Sequence, residues 1–105
     1  MAVKVLIRRV IEEEALEKVL ALLKALRMNA MNRSGYVTGE TLVNHYDPSI
    51  IMIISTWQSI SDWIQWEESD ERAAMEKQLV AFQKAPAQFE VYDLGALSKK
   101  KDFLI

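Results

Sequence analysis

The chain predicts an α+β domain of the split β-α-β-β-α-β kind, an antiparallel four-stranded sheet with its helical segments on one face. Three observations lead to that reading. Runs rich in β-branched residues at 3–10 and 50–57 have the length and composition of strands. From Glu12 onward, apolar residues recur at spacings of three and four, the period of an amphipathic helix. Asp47-Pro48-Ser49 supplies a tight turn, because proline presets the backbone angle such a turn needs, so residues 36–57 fold back as a hairpin.

The first strand, 3–10, sorts into two faces: Val3, Val5, Ile7 and Arg9 against Lys4, Leu6, Arg8 and Val10. The helix after it turns Leu16, Val19, Leu23, Leu26 and Ala30 toward a core, and Glu12 to Glu14 lie where a helix N-terminus favours negative charge. Ser34-Gly35 stops that helix after about Asn32. A second strand is expected over 36–46, with Tyr36, Asn44 and Tyr46 on one face and His45 on the other. After the third strand, Ser59-x-x-Asp62 reads as a helix-start box, and the short helix it opens carries Trp63 and Trp66 one turn apart. Ser69-Asp70-Glu71 starts a further helical segment whose apolar stripe runs through Met75, Leu79 and Phe82 until Pro86. Residues 88–94 make the last strand. The expected domain therefore spans 1–95, and 96–105 form a tail whose Phe103, Leu104 and Ile105 are candidates to dock on a partner subunit.

The third strand carries a further implication. Ile50-Ile51-Met52-Ile53-Ile54 is apolar on both faces rather than alternating, so both faces favour burial. Helices on one side cover only one of them. The simplest cover for the other is a second copy, which predicts a homodimer with its two sheets face to face across a two-fold axis.

Composition narrows the function classes. A length of 105 residues, half of them hydrophobic and 27% charged, is the balance of one globular domain. A net charge of -2 lacks the basic excess that non-specific nucleic-acid binding draws on, so no nucleic-acid partner is expected. No apolar run approaches the roughly 20 residues of a membrane helix, and no cleavable leader is evident, so a soluble cytoplasmic protein is expected. The absence of cysteine removes disulfides, thiolate metal sites and a cysteine nucleophile. No glycine-rich phosphate loop, nicotinamide or flavin fingerprint occurs, and no cofactor or metal is expected.

Several residues are candidates for chemistry. His45 is the only histidine, hence the only side chain whose ordinary pKa is near neutrality, and is a candidate general base; a lone histidine near a strand end also suits a surface or interface. Arg8 and Arg9 interrupt an apolar strand and point to opposite sides. Each needs a carboxylate or carbonyl partner if enclosed, and Arg8 is the candidate to hold a phenolate, carboxylate or oxyanion. Glu76 is a candidate carboxylate base if desolvated, against the ordinary alternative of a solvated helix glutamate. Asn44 and Tyr36 are placed to donate hydrogen bonds to an oxygen on a bound ring. Trp57, Trp63 and Trp66 fall within ten residues, 57–66, and serve either as core or as an aromatic pocket wall.

The order of elements, Arg33-Ser34-Gly35-Tyr36 leading into a strand, Asp47-Pro48 in the hairpin, and Trp57-Gln58-Ser59 opening a helix that carries Trp66, Ser69 and Arg72 together resemble the antibiotic biosynthesis monooxygenase (ABM) superfamily over residues 2 to about 94. The resemblance implies a ferredoxin-like fold assembled as a dimeric α+β barrel. It also implies that Trp66 lines a pocket between helices and sheet and stacks on a planar ring, with Trp57 beside it. Members of the superfamily include cofactor-independent oxygenases and haem-degrading enzymes. The haem-degrading pattern places a histidine where this chain has Glu76 and an asparagine near Arg8. Glutamate is a poor substitute for the imidazole that holds haem iron, which argues against that branch.

The expected function is thus a cofactor-independent monooxygenase that oxidises a quinol, anthrone or polyphenol with O₂. Trp66, Trp57, Asn44 and Tyr36 would hold the substrate, and His45, Glu76 and Arg8 would do the chemistry. The alternative is a dimeric small-molecule binding or accessory protein without catalysis.

Overall fold

A computed structural model describes residues 1–95. The expected tail, 96–105, lies outside the described residues. Strand β1 (Val3–Val10) is central, pairing antiparallel with β3 (Ile50–Trp57) on one side and β4 (Gln88–Asp93) on the other, while β2 (Tyr36–Val43) pairs with the far edge of β3. The order β2-β3-β1-β4 with helices α1 (Leu16–Ala30), α2 (Ile60–Glu67) and α3 (Asp70–Val80) is the ferredoxin-like topology expected.

The alternation in β1 decides the layering. Val3, Val5, Ile7 and Arg9 are buried, whereas Lys4, Leu6, Arg8 and Val10 are half-buried. The buried set packs with Ile51 and Trp57 of β3 against Val19, Leu23 and Leu26 of α1, Trp63 and Trp66 of α2, and Leu79 of α3. The core therefore lies wholly between the sheet and one layer of helices. On the other face, Leu6, Val10, Met52 and Ile54 are half-buried and Leu42 is exposed.

The sheet is open, which corrects the expected barrel. Strands β2 and β4 each have a single neighbour and do not pair with one another. Closing a sheet takes more strands, about eight in small barrels, together with a stagger between them; the described residues supply four.

Local differences have local causes. The first helix begins as a 3₁₀ turn at Glu13–Ala15 and becomes α-helical at Leu16, ending at Ala30. Strand β2 stops at Val43 rather than at Tyr46, because the Asn44 side-chain oxygen accepts the backbone N–H groups of Tyr46 and Asp47 at 2.9 Å each and draws the chain into a turn. A bulge at the start of β2 sets Tyr36 opposite Trp57 and Thr38 opposite Thr56. It turns Tyr36 to the helix side, with Gly39 and Thr41, instead of the face expected from simple alternation.

Candidate functional site

Small residues make the space. Where β2 and β3 face α1, Gly39 and Ser55 stand opposite Ala30, and none of these fills the gap between helix and sheet. The result is a partly open pocket of about 50 Å³ whose floor includes Ile7 and Ile53. Its size is set closely: a Cβ on Gly39 would stand 2.4 Å from the Tyr36 hydroxyl.

One wall is aromatic. Tyr36 meets Trp57 edge-on with ring centroids 5.3 Å apart, and Trp57 meets Trp63 at 5.9 Å. Trp66 completes the wall, and the Arg33 guanidinium lies over its ring at 5.3 Å. All three tryptophans are buried. The Trp57 indole N–H donates to Ser55 Oγ at 3.1 Å, so its polar edge is satisfied without spoiling the apolar wall.

The other wall is cationic. Arg9 is 1% exposed; its two amino nitrogens donate to both carboxylate oxygens of Glu76, and Nη1 also donates to Gln83 Oε1 at 2.7 Å. Arg72, 6% exposed, lies over the rings of both Trp63 (5.4 Å) and Phe89 (5.5 Å). Its Nη2 stands 3.6 Å from Glu76 Oε1, close enough for attraction but beyond a hydrogen bond. Burial holds the Arg72 guanidinium below its ordinary pKa; Glu76 opposes that shift, and neighbouring Arg9 adds to it.

A single serine sets the spacing of the two walls. Ser69 Oγ donates to the Trp66 carbonyl at 2.7 Å and accepts the Arg72 backbone N–H at 3.2 Å, so one hydroxyl ends α2 and caps α3. Similarly, Ser59 accepts the Asp62 N–H and starts the helix that carries Trp63 and Trp66.

Of the residues singled out from sequence, Trp66, Trp57 and Tyr36 come together in the pocket. Arg8 does not join them: it lies on the opposite sheet face, across from Met52 of β3 and Gln88 of β4. His45 and Asn44 are exposed in the β2–β3 turn, His45 against the Tyr46 ring at 5.0 Å. Glu76 is bound to Arg9 rather than lining the cavity. Arg9 and Arg72 carry the pocket's buried charge. Arg9 was legible as one of an alternating pair, but nothing in a helix sequence marks Arg72 as buried. Among the described residues no three or more His, Asp or Glu side chains are grouped to hold a metal ion, and no helix is long and apolar enough to cross a membrane.

Comparison with known proteins bears on this site. No curated protein matches the chain at a significant level. Among solved structures, a conserved protein from Methanosarcina mazei superposes with a TM-score of 0.82 at 16% identity, covering 88% of this chain and 91% of the other. SnoaB, a cofactor-independent oxygenase from Streptomyces nogalater, superposes with a TM-score of 0.73 at 14% identity, over 88% and 91% of the two chains. Rv0793 from Mycobacterium tuberculosis reaches a TM-score of 0.79 at 15% identity, over 89% and 94%. At these identities the likeness is one of fold. The sequence model described as antibiotic biosynthesis monooxygenase matches residues 2–78, from the first strand through the aromatic and cationic walls, and the chain belongs to that family.

Proposed function

We propose that this protein is a cofactor-independent monooxygenase that oxidises an electron-rich aromatic compound, a quinol or anthrone, with O₂. One observation carries the reading: the indoles of Trp57, Trp63 and Trp66 and the buried guanidinium groups of Arg9 and Arg72 line the same pocket. Indoles favour a flat ring, and the cations favour the electron-rich oxygen on it. SnoaB, which shares the fold, is itself a cofactor-independent oxygenase.

The reaction balances without an external reductant. For an anthrone-type methylene, loss of a C–H proton to solvent leaves a carbanion that passes one electron to O₂. The resulting radical and superoxide combine, forming a C–O bond and, after protonation, a hydroperoxide. Loss of water, whose hydrogens derive from the remaining C–H and the added proton, leaves a carbonyl. The methylene and O₂ thus become a ketone and water. The protein contributes placement, exclusion of water and charge stabilisation, each of which lowers the barrier only if held in place beforehand. A cavity of about 50 Å³ is smaller than the ~300–1,000 Å³ of enclosed ligand sites, so a ring system would enter edge-first and leave part of itself at the open side.

A second reading, a binding or accessory protein without catalysis, is supported by the base candidates. His45 sits in an exposed turn and Glu76 is engaged by Arg9. Direct measurement of O₂ uptake with a panel of reduced quinols and anthrones separates the two. Uptake that disappears in Trp66→Ala supports the oxygenase; tight binding without uptake across the panel leaves the binder.

We further infer a homodimer in which a second copy covers the outer sheet face of Leu6, Leu42, Met52 and Ile54, since among the described residues no helix lies over this apolar surface. Sedimentation should give twice the chain mass, falling to one chain mass in Ile54→Lys. A monomer for the unaltered protein at micromolar concentration would end this inference.

A further inference from the structure

We propose that the pocket selects the ionised form of its ligand: an aromatic ring bearing an acidic hydroxyl, bound as the phenolate with its oxygen between Arg72 and Tyr36. The inference rests on the aromatic-ligand reading above but not on turnover.

Its basis is a set of buried hydrogen-bond donors left without partners. Arg72 Nη2, Arg9 Nε and the Tyr36 hydroxyl are all enclosed, all belong to pocket-lining residues, and none makes a hydrogen bond among the described residues. Burying such groups unsatisfied is costly, and they are rare in folded proteins. Three around one small cavity indicate that an acceptor belongs there. All three can donate, and the two arginine nitrogens can only donate. The missing group is therefore an acceptor, best one with several lone pairs.

Charge points the same way. Two buried guanidiniums, Arg9 and Arg72, face one carboxylate, Glu76, whose oxygens are already taken by Arg9. That leaves one positive charge without a hydrogen-bonded counter-ion. Glu67 is the least of the charges acting on Arg72, while Arg27 and Glu40 at the pocket margin are exposed and of opposite sign. The desolvation that lowers the Arg72 pKa would be relieved by an anion at its open nitrogen. The site is also too apolar elsewhere for a hydrated inorganic ion to be its natural occupant. The indole wall requires that the anionic oxygen be carried on a ring.

Titration of 4-nitrophenol tests this without O₂ chemistry, because its phenolate absorbs in the visible and its neutral form does not. In the presence of saturating protein, its pKa is expected to fall by about one unit or more, equivalent to at least tenfold preference for the anion. Arg72→Met and Tyr36→Phe should each shrink that shift, with Tyr36→Phe serving as the test if Arg72→Met fails to fold. An unchanged or raised pKa, no binding at millimolar protein, or a full shift retained in both folded variants would overturn the proposal. Loss of the oxygenase reading is a separate result: absent O₂ uptake with the pKa shift intact sinks catalysis and leaves anion selection standing. Conversely, uptake that survives Arg72→Met undiminished, without a pKa shift, keeps the oxygenase and removes this.

Discussion

Arg9 on β1 and Glu76 on α3, 67 positions apart in the chain, are joined by two hydrogen bonds between the guanidinium amino nitrogens and the carboxylate oxygens. The pair fastens the middle strand of the sheet to the last helix, and Gln83 takes a further bond from the same guanidinium at 2.7 Å. Because Arg9 is almost wholly enclosed, its guanidinium relies on this partner in place of water.

Glu76→Ala is therefore expected to lower the unfolding free energy by roughly 3 kcal/mol, the cost of leaving one member of a buried ion pair alone. Replacing both members with apolar residues, Arg9→Met with Glu76→Leu, should cost less than the single change. Urea denaturation of the two variants and the parent measures this; a Glu76→Ala variant as stable as the parent would mean that Arg9 finds water instead.

Ser69→Ala removes the hydroxyl that touches both the Trp66 carbonyl and the Arg72 N–H. The expected loss is about 1 kcal/mol, as for other helix N-caps. It should also weaken 4-nitrophenol binding severalfold, since the two pocket walls lose their common tie. Binding unchanged at reduced stability would confine Ser69 to capping.

Gly39→Ala tests how the cavity is kept open. The added methyl would lie 2.4 Å from the Tyr36 hydroxyl, and the Tyr36 ring is stacked edge-on with Trp57. Something must move, so a loss of about 1–3 kcal/mol is expected, together with a changed near-ultraviolet circular dichroism signal from the displaced aromatics. An identical spectrum and stability would show that the tyrosine swings aside freely.

Asp47 predicts a pH effect confined to the β2–β3 turn. Its carboxylate accepts from the Ser49 hydroxyl at 2.6 Å and the Ser49 N–H at 3.1 Å, which hold its pKa below the ordinary 3.8. A folded pKa below the unfolded one means that ionised Asp47 stabilises the turn above pH 3.8, and that this contribution is lost as pH falls from there through the lowered value. Asp47→Asn should flatten that acid-side portion of the stability curve, followed by the urea midpoint against pH. An unchanged curve would place the acid sensitivity elsewhere.

Sequence alone determined the order of strands and helices, because these announce themselves through local period; the barrel expected with them is absent, since the sheet is open. Alternation in 3–10, the three-and-four spacing after Glu12, the Asp47-Pro48 turn and the serine caps at Ser59 and Ser69 are each readable within a few residues, and all appear where expected to within a turn. Trp66 was legible as a pocket residue through family likeness and Trp57 as core or pocket wall, whereas Tyr36 was named but assigned to the other sheet face.

Which side chains converge is settled by long-range packing. A bulge at Val37 turns Tyr36 to the helix side, and the Asn44 turn takes His45 away from the sheet. Arg72 looks like any charged residue on a polar helix until Trp63 and Phe89 close over it from other elements. Period-two alternation said that Arg8 and Arg9 part company, but the choice between them depended on which face the helices cover. That choice is a matter of total apolar area buried across the whole sheet, a sum that no local window contains.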